Sequence, residues 1–275
     1  MGFRHAGVNR ISIGAQSFID RQLHEIGRTH SAQAAMDAVV TAKNANFENI
    51  NVDLMYALPK QTLQEAAHDV EQAIALGPTH ISYYQLTIEP NTRFYQHPPR
   101  LPSCELSWDM QQQGVALLAE HGFQQYEVSA YAKDEFKCVH NSNYWQFGDY
   151  VGIGAGAHQK ISDLERGTIL RCEKPRRPQQ YIRKAAANEL LGESRSLNEE
   201  DLVFEFLLNA LRLKHGFSQQ QFEFHTGLSF AFLASRFQSL QDDGLLVIKH
   251  GCVRCSALGY RFLDEVLQRL LPGYA

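Results

Sequence analysis

The sequence is 275 residues long and carries 26 Lys and Arg against 30 Asp and Glu, a formal charge of −4. That length supplies one large core or two modest ones, and the acidic balance argues against a protein that lives on phosphate backbones or anionic membranes, so no nucleic-acid partner is expected. No apolar run approaches the ~20 residues of a membrane span, no signal-peptide apolar region opens the chain, and five scattered cysteines read as reduced thiols; the expected compartment is the cytoplasm.

Val8 to Ala15 is a β-branched run ending in small residues, which predicts a buried strand. Ser31 to Asn46 carries alanines and Val39 at helical spacing behind an N-cap serine. Ile50 to Tyr56 is a second strand closed by Pro59, and Leu63 to Leu76 a helix stopped by Gly77-Pro78. His80 to Leu86, Glu105 to His121 and Phe123 to Ser129 continue the alternation as strand, helix and strand. Such alternation points to a parallel sheet covered by crossover helices, with working groups at the carboxyl ends of the strands. Gln16 follows the first strand directly, and Asp53 interrupts an apolar second strand, where a carboxylate without a partner is costly. Its plain alternative is a partner for a nearby Arg or Lys.

From Glu173 to Asn198 the proline and basic content predicts a surface connection around a short helix near Tyr181 to Leu190. Helices follow over Glu199 to Leu213, Ser218 to Thr226 and Phe230 to Asp243, then strands over Gly244 to Ile248 and Cys252 to Cys255, then a helix over Ala257 to Leu271. Three helices and a two-stranded wing make a winged-helix outline. Its acidic residues outnumber its Lys and Arg, the reverse of a DNA reader.

One stretch has the residue types of an organic-cofactor pocket: Cys138-Val139-His140-Asn141-Ser142-Asn143-Tyr144-Trp145, followed by a turn with glycines at 152, 154 and 156. The alternative is a satisfied structural histidine in a loop. The glycine spacing is not the dinucleotide fingerprint. Cys252-Val253-Arg254-Cys255 lacks the further ligands of a zinc site and the helix N-terminus of a redox pair.

Gly7 to Phe18 with its IGAQSF ending, then Gly27-Arg28, then Asn51-Val52-Asp53-Leu54-Met55-Tyr56-Ala57-Leu58-Pro59-Lys60-Gln61-Thr62, resemble the radical S-adenosylmethionine family around oxygen-independent coproporphyrinogen III oxidase. Ile81 to Pro90 is similar to the same group, and His140-Asn141-Ser142-Asn143-Tyr144-Trp145 resembles the HNxxYW signature of its heme-chaperone branch. The resemblance runs over essentially the whole chain. It implies an α/β fold: an incomplete parallel (βα) radical SAM barrel over residues 1–170, a linker with a short helix over 171–196, and a C-terminal helical winged-helix-like domain over 197–275.

It also implies that Gln16, Arg28 and Asp53 bind S-adenosylmethionine, and that His140, Asn141, Tyr144 and Trp145 serve the heme side. An imidazole can ligate iron and large aromatics can pack on a macrocycle. The family's CxxxCxxC, which holds a [4Fe–4S] cluster, has no counterpart among Cys104, Cys138, Cys172, Cys252 and Cys255, so neither a cluster nor radical initiation is expected on this chain alone. Gln159 stands where the family usually has glycine.

On this reading the chain is a C-terminal portion of a family protein that begins at an internal methionine. The implied function is that of a heme chaperone, which binds heme or a related tetrapyrrole and delivers it to respiratory acceptor proteins. The alternative is oxidative decarboxylation of coproporphyrinogen III. A third reading is an inert fragment that self-associates through an uncovered sheet edge.

Overall fold

The computed structural model describes residues 2–163, 167–187, 189 and 194–271. The chain divides into two compact units between Lys137 and Cys138. The domain boundary expected at residue 170 falls inside a strand of the second unit.

The N-terminal unit contains α1 (Gly2–His5), β1 (Arg10–Gln16), α2 (Asp20–Glu25), α3 (Ala32–Asn44), β2 (Asn49–Tyr56), α4 (Leu63–Ala75), β3 (His80–Gln85), α5 (Arg93–Gln96), α6 (Cys104–Glu120), β4 (Gln124–Glu127) and β5 (Ala130–Ala132). Its sheet has the order β1-β2-β3-β5-β4. β1, β2 and β3 are parallel, as the helical crossovers α3 and α4 require. Each long helix starts where its sequence supplies a cap. Ser31 accepts from the Ala34 amide, Ser103 from Leu106, and Thr62 with Glu65 closes a capping box.

Alternation along the parallel strands sends Val52, Leu54, Tyr56, Ile81 and Tyr83 to one face. There they meet Val39, Ala42, Val70, Ala73, Met110 and Leu118 from the helices in a single apolar core. Burying each of the larger groups contributes about 1.5–3 kcal/mol. Gly114 lets α6 lie directly on the Tyr83 ring, and the Tyr83 hydroxyl donates to the Met110 carbonyl at 3.1 Å.

The fourth strand departs from expectation. Instead of one strand from Phe123 to Ser129, the chain turns at Val128-Ser129 into the β4–β5 hairpin. Ser129 drives the turn, because its amide and hydroxyl both donate to Glu127 Oε1. β5 then inserts antiparallel beside β3, so the sheet is mixed at that end.

The C-terminal unit contains α7 (Val139–Trp145), β6 (His158–Asp163), β7 (Thr168–Glu173), α8 (Pro178–Ala186), β8 (Ser194–Ser196), α9 (Glu199–Ala210), β9 (Phe217–Ser218), α10 (Gln219–Thr226), a 3-10 turn (Phe230–Leu233), α11 (Ala234–Asp242), β10 (Leu246–Lys249), β11 (Cys252–Cys255), α12 (Ala257–Arg261) and α13 (Leu263–Arg269). The antiparallel sheet β6-β7-β8 was not anticipated; both ends of the expected connection lie in its strands. Polar contacts help hold it. Arg171 on β7 and Arg195 on β8 both pair with Glu205 on α9, and the buried Lys160 on β6 donates to Asp149 at 2.8 Å.

The winged-helix outline is present as α9, α10 and α11 with the sheet β10-β11-β9. Phe206, Phe222, Phe237, Leu240, Val253 and Val266 are fully buried in this unit. The expected last helix breaks at Phe262, and the expected third helix opens with the 3-10 turn.

Filling the space at Gly114 tests the helix-on-sheet contact. Gly114→Ala would drive a methyl into the Tyr83 ring and should destabilise the chain by about 1–3 kcal/mol despite alanine's better helix propensity. Urea denaturation of the purified variant measures this; unchanged stability would show that the contact gives way freely.

Candidate functional site

The second face of the parallel strands is polar. β1 contributes Ser12, Gly14 and Gln16, β2 contributes Asn51, Asp53 and Met55, and β3 contributes His80, Ser82 and Tyr84. Register places Ser12 beside Asn51, Gly14 beside Asp53, Asn51 beside His80 and Asp53 beside Ser82. One hydrogen-bond network joins them. Ser12 Oγ donates to Asp53 Oδ2 at 3.0 Å, and Asn51 Nδ2 donates to Asp53 Oδ1 and Ser12 Oγ, both at 2.7 Å. Asn51 Oδ1 accepts from His80 Nδ1 at 2.6 Å and from Ser82 Oγ at 3.2 Å. Behind them His80 Nε2 meets the Tyr126 hydroxyl at 2.9 Å. Burial, and secondly the charge of Arg10, push the His80 imidazole down to about 3, so it is neutral. The Asp53 carboxylate is therefore held by a hydroxyl and an amide, not by the cation that sequence reasoning offered as its alternative partner.

At the carboxyl end of β1 the register slips between Gly14 and Gln16, and Gln16 adopts a left-handed φ of 62°. In a non-glycine residue that conformation costs about 1 kcal/mol or more, and it recurs at functional sites. The Gln16 amide folds over Gly14, where a Cβ would stand 2.5 Å from its Nε2. Its Oε1 is buried and has no hydrogen-bond partner.

Tyr84 links the three residues proposed for S-adenosylmethionine. Burial raises its hydroxyl above the ordinary tyrosine range, and the Asp53 charge adds to that. The Arg28 charge and a side-chain hydrogen bond from Gln16 act the other way. Arg28 is exposed and lines a cavity of about 770 Å³ with His24, Thr87, Glu89, Arg93 and His97. Tyr84 was not singled out from sequence. The polar alternation His80-Ser82-Tyr84 within an apolar strand was the available signal.

A buried carboxylate fixes the loop carrying Gln16. Asp69 on α4 accepts from Ser17 Oγ at 2.8 and 2.9 Å, from the Phe18 amide at 2.6 Å and from Gln61 Nε2 at 3.3 Å. Gln61 Oε1 in turn accepts from the Leu58 amide at 3.1 Å. The serine of the first motif and the glutamine of the second are thus clamped by one side chain.

In the C-terminal unit α7 carries the other proposed residues. The His140 imidazole is exposed, makes no hydrogen bond to the described residues, and stands edge-on to Tyr144 with centroids 4.8 Å apart. Tyr144 leans on Tyr150 at 4.4 Å. Asn141 is half-buried beside them.

Trp145 has a different setting. The Arg212 guanidinium lies over its ring at 4.3 Å, and it lines a small cleft with Phe206, Ala210, Leu213 and Phe217. Its Nε1 is buried without a partner. The neighbouring glycines serve the chain itself: Gly148 makes room for the Asn143 amide and Gly152 for the His158 carbonyl.

Burial pushes the Cys255 thiol up to about 12, so the CxxC holds no reactive thiolate there, and Cys252 Sγ donates to the His215 carbonyl at 3.4 Å. Among the described residues no group of three or more His, Cys, Asp or Glu is placed to hold a metal ion, and no helix is long and apolar enough to cross a membrane.

Comparison with known proteins places these features. Residues 2–73 match the radical SAM superfamily, and residues 197–262 match the HemN C-terminal domain. The heme chaperone HemW of Haemophilus influenzae is 44% identical over 270 residues, covering 98% of this chain and 69% of that protein. The chain belongs to the HemW family. HemW of Escherichia coli is 42% identical over 269 residues, covering 98% of this chain and 70% of that protein. A bovine mitochondrial radical S-adenosyl methionine domain-containing protein 1 is 35% identical, and the chain spans 63% of it. Among solved structures, coproporphyrinogen III oxidase (HemN) of E. coli, itself described as a radical SAM enzyme, superposes with a TM-score of 0.78 at 20% identity. That match covers 98% of this chain and 65% of the oxidase, and at such identity it establishes a shared fold.

The Asp69 clamp carries a pH signature. Burial, the largest cause, pushes its carboxyl up to about 6 from an ordinary value near 3.9. Between those values the folded state binds more protons than the unfolded one, so this group's contribution to stability falls as pH rises from about 4 to about 6. Asp69→Asn removes that titration. Denaturation from pH 4 to 7 should show the wild type losing ground against the variant up to about pH 6 and no further above it. Parallel profiles would contradict the raised value.

Proposed function

We propose that this chain is a heme chaperone, as its HemW relatives are named, and that it binds heme and passes it to respiratory acceptor proteins in the cytoplasm. The observation that carries the heme reading is the exposed His140 imidazole, free of hydrogen bonds to the described residues and braced edge-on by Tyr144. An imidazole so placed is available to iron, and the adjoining rings offer flat apolar surface. Asn141 and Tyr144 complete the surface. Trp145, with Arg212 over its ring, belongs to the same segment.

S-adenosylmethionine fits the residues of the N-terminal unit. A buried amide oxygen left without a partner costs about 1–3 kcal/mol, and a donor on the ligand would satisfy Gln16 Oε1. Gln16 and Asp53 would take the ribose hydroxyls or the amine, and Arg28 the carboxylate. When bound, the molecule supplies a sulfonium centre; these three residues bind and orient it.

A [4Fe–4S] cluster does not fit the residues of this chain. The five cysteines lack the CxxxCxxC spacing, and no suitable ligand group exists among the described residues. No radical step is therefore assigned to them. Coproporphyrinogen oxidation has weaker support than the chaperone reading, since the likeness to the oxidase is one of fold and the HNxxYW segment points to HemW.

A heme titration followed by absorbance tests the proposal. The wild-type chain should bind saturably, and His140→Ala should weaken binding about tenfold or more, which corresponds to about 1.4 kcal/mol, or shift the Soret band. Identical titrations and spectra for the two proteins would remove His140 as a ligand.

A further inference from the structure

The proposed adenosyl site depends on where the Asp53 carboxylate is held, and its holders extend well behind it. Asn51 uses its whole amide. Two N–H groups go forward to Asp53 Oδ1 and Ser12 Oγ, and two lone pairs take bonds from His80 Nδ1 and Ser82 Oγ. An amide in that position has two orientations. The observed one delivers its N–H groups to Asp53; the flipped one would turn the carbonyl oxygen toward the carboxylate.

Asp53 and His80 hold that amide from its two sides. His80 is fully buried, and its two ring nitrogens face two different partners. The Asp53 carboxylate only accepts, so it takes the NH₂ group of Asn51 and leaves the amide oxygen to His80; the single imidazole proton then sits on Nδ1, and Nε2 accepts from the Tyr126 hydroxyl. The Nδ1–H bond to the Asn51 oxygen reinforces that orientation from behind the carboxylate. A buried network with every member satisfied is stiff, and one reversed member would leave two donors or two acceptors opposed.

We infer that His80 is a positioning residue for the adenosyl site, acting through the Asn51 amide to fix the direction of the Asp53 carboxylate, with Tyr126 holding the other ring nitrogen. The inference rests on the reading that Asp53 binds S-adenosylmethionine. It adds three residues outside the Gln16, Arg28 and Asp53 set, from three strands: Asn51 on β2, His80 on β3 and Tyr126 on β4. None of them is asked to touch the ligand. A purely structural histidine at this place would stabilise the sheet without affecting affinity once the chain is folded.

Calorimetric titration of the intact chain with S-adenosylmethionine separates these roles. His80→Leu removes both ring contacts and should weaken binding about tenfold, within the range of coupling through a shared network. His80→Asn restores a donor at the Nδ1 position and should recover most of that loss. In an Asp53→Ala background His80→Leu should have no further effect on affinity. Thermal melts identify the folded variants.

If Asp53→Ala weakens binding and folded His80→Leu binds as the wild type does, the positioning role is overturned while the site stands. If Asp53→Ala binds as the wild type does, the site reading fails and the inference fails with it. If His80→Leu does not fold, Tyr126→Phe decides: an affinity loss of about twofold or more supports the positioning role, and wild-type affinity overturns it.

Discussion

The Asp69 carboxylate is the contact on which the N-terminal unit's site depends. It is buried on α4, yet it takes bonds from the turn after β1 and from the turn after β2, through Ser17, Phe18 and Gln61. Those turns sit at the carboxyl ends of parallel strands, where open α/β folds place their ligands. Holding a carboxylate in low dielectric is unfavourable, which is why its proton affinity is raised. The return is a fixed end to β1, and that end keeps Gln16 in a left-handed conformation with its amide oxygen unsatisfied. A loop free to relax would turn that oxygen to water.

The rest of the site follows from alternation. The same strands that give Val52, Leu54, Ile81 and Tyr83 to the helices give Asn51, Asp53, His80 and Ser82 to the other face. The polar face is not a collection of solvated side chains, because its members are bonded to one another across the strands from Ser12 to Tyr126. Each unit contributes a different capability to the proposed function. The N-terminal unit offers a preorganised polar surface for a small charged ligand, and α7 offers an exposed imidazole with aromatic backing for a tetrapyrrole.

Much of this was legible in the chain. Parallel strands announce themselves as β-branched runs, and Ser31, Thr62 and the Gly77-Pro78 stop bracket helices through local chemistry that tertiary context does not override. Gln16 was visible as the residue directly after the first strand, and Asp53 because it interrupts an apolar run. The sheet β6-β7-β8 was hidden because its stability lies partly in Arg171, Arg195, Lys160 and Glu205, long-range ion pairs that no short-range periodicity reports. The β4–β5 hairpin was hidden because Val128-Ser129 is not a strong turn pair and depends on the Glu127 side chain. His80 looked like a strand residue with no role, since its meaning comes from partners 29 and 46 residues away. The contact of the Trp145 ring with Arg212 was hidden in the same way, since the two are far apart in the chain.

On the proposed function, the polar face of β1, β2 and β3 is a ligand surface whose open valence is the Gln16 amide oxygen. A crystal structure of the chain soaked with S-adenosylmethionine tests it most directly. Ligand density is expected at the carboxyl ends of these strands, with a ligand donor on Gln16 Oε1, another on the Asp53 carboxylate, and the Asn51 amide unchanged in orientation. Density elsewhere, or a bound ligand that leaves Gln16 Oε1 without a partner, would contradict it.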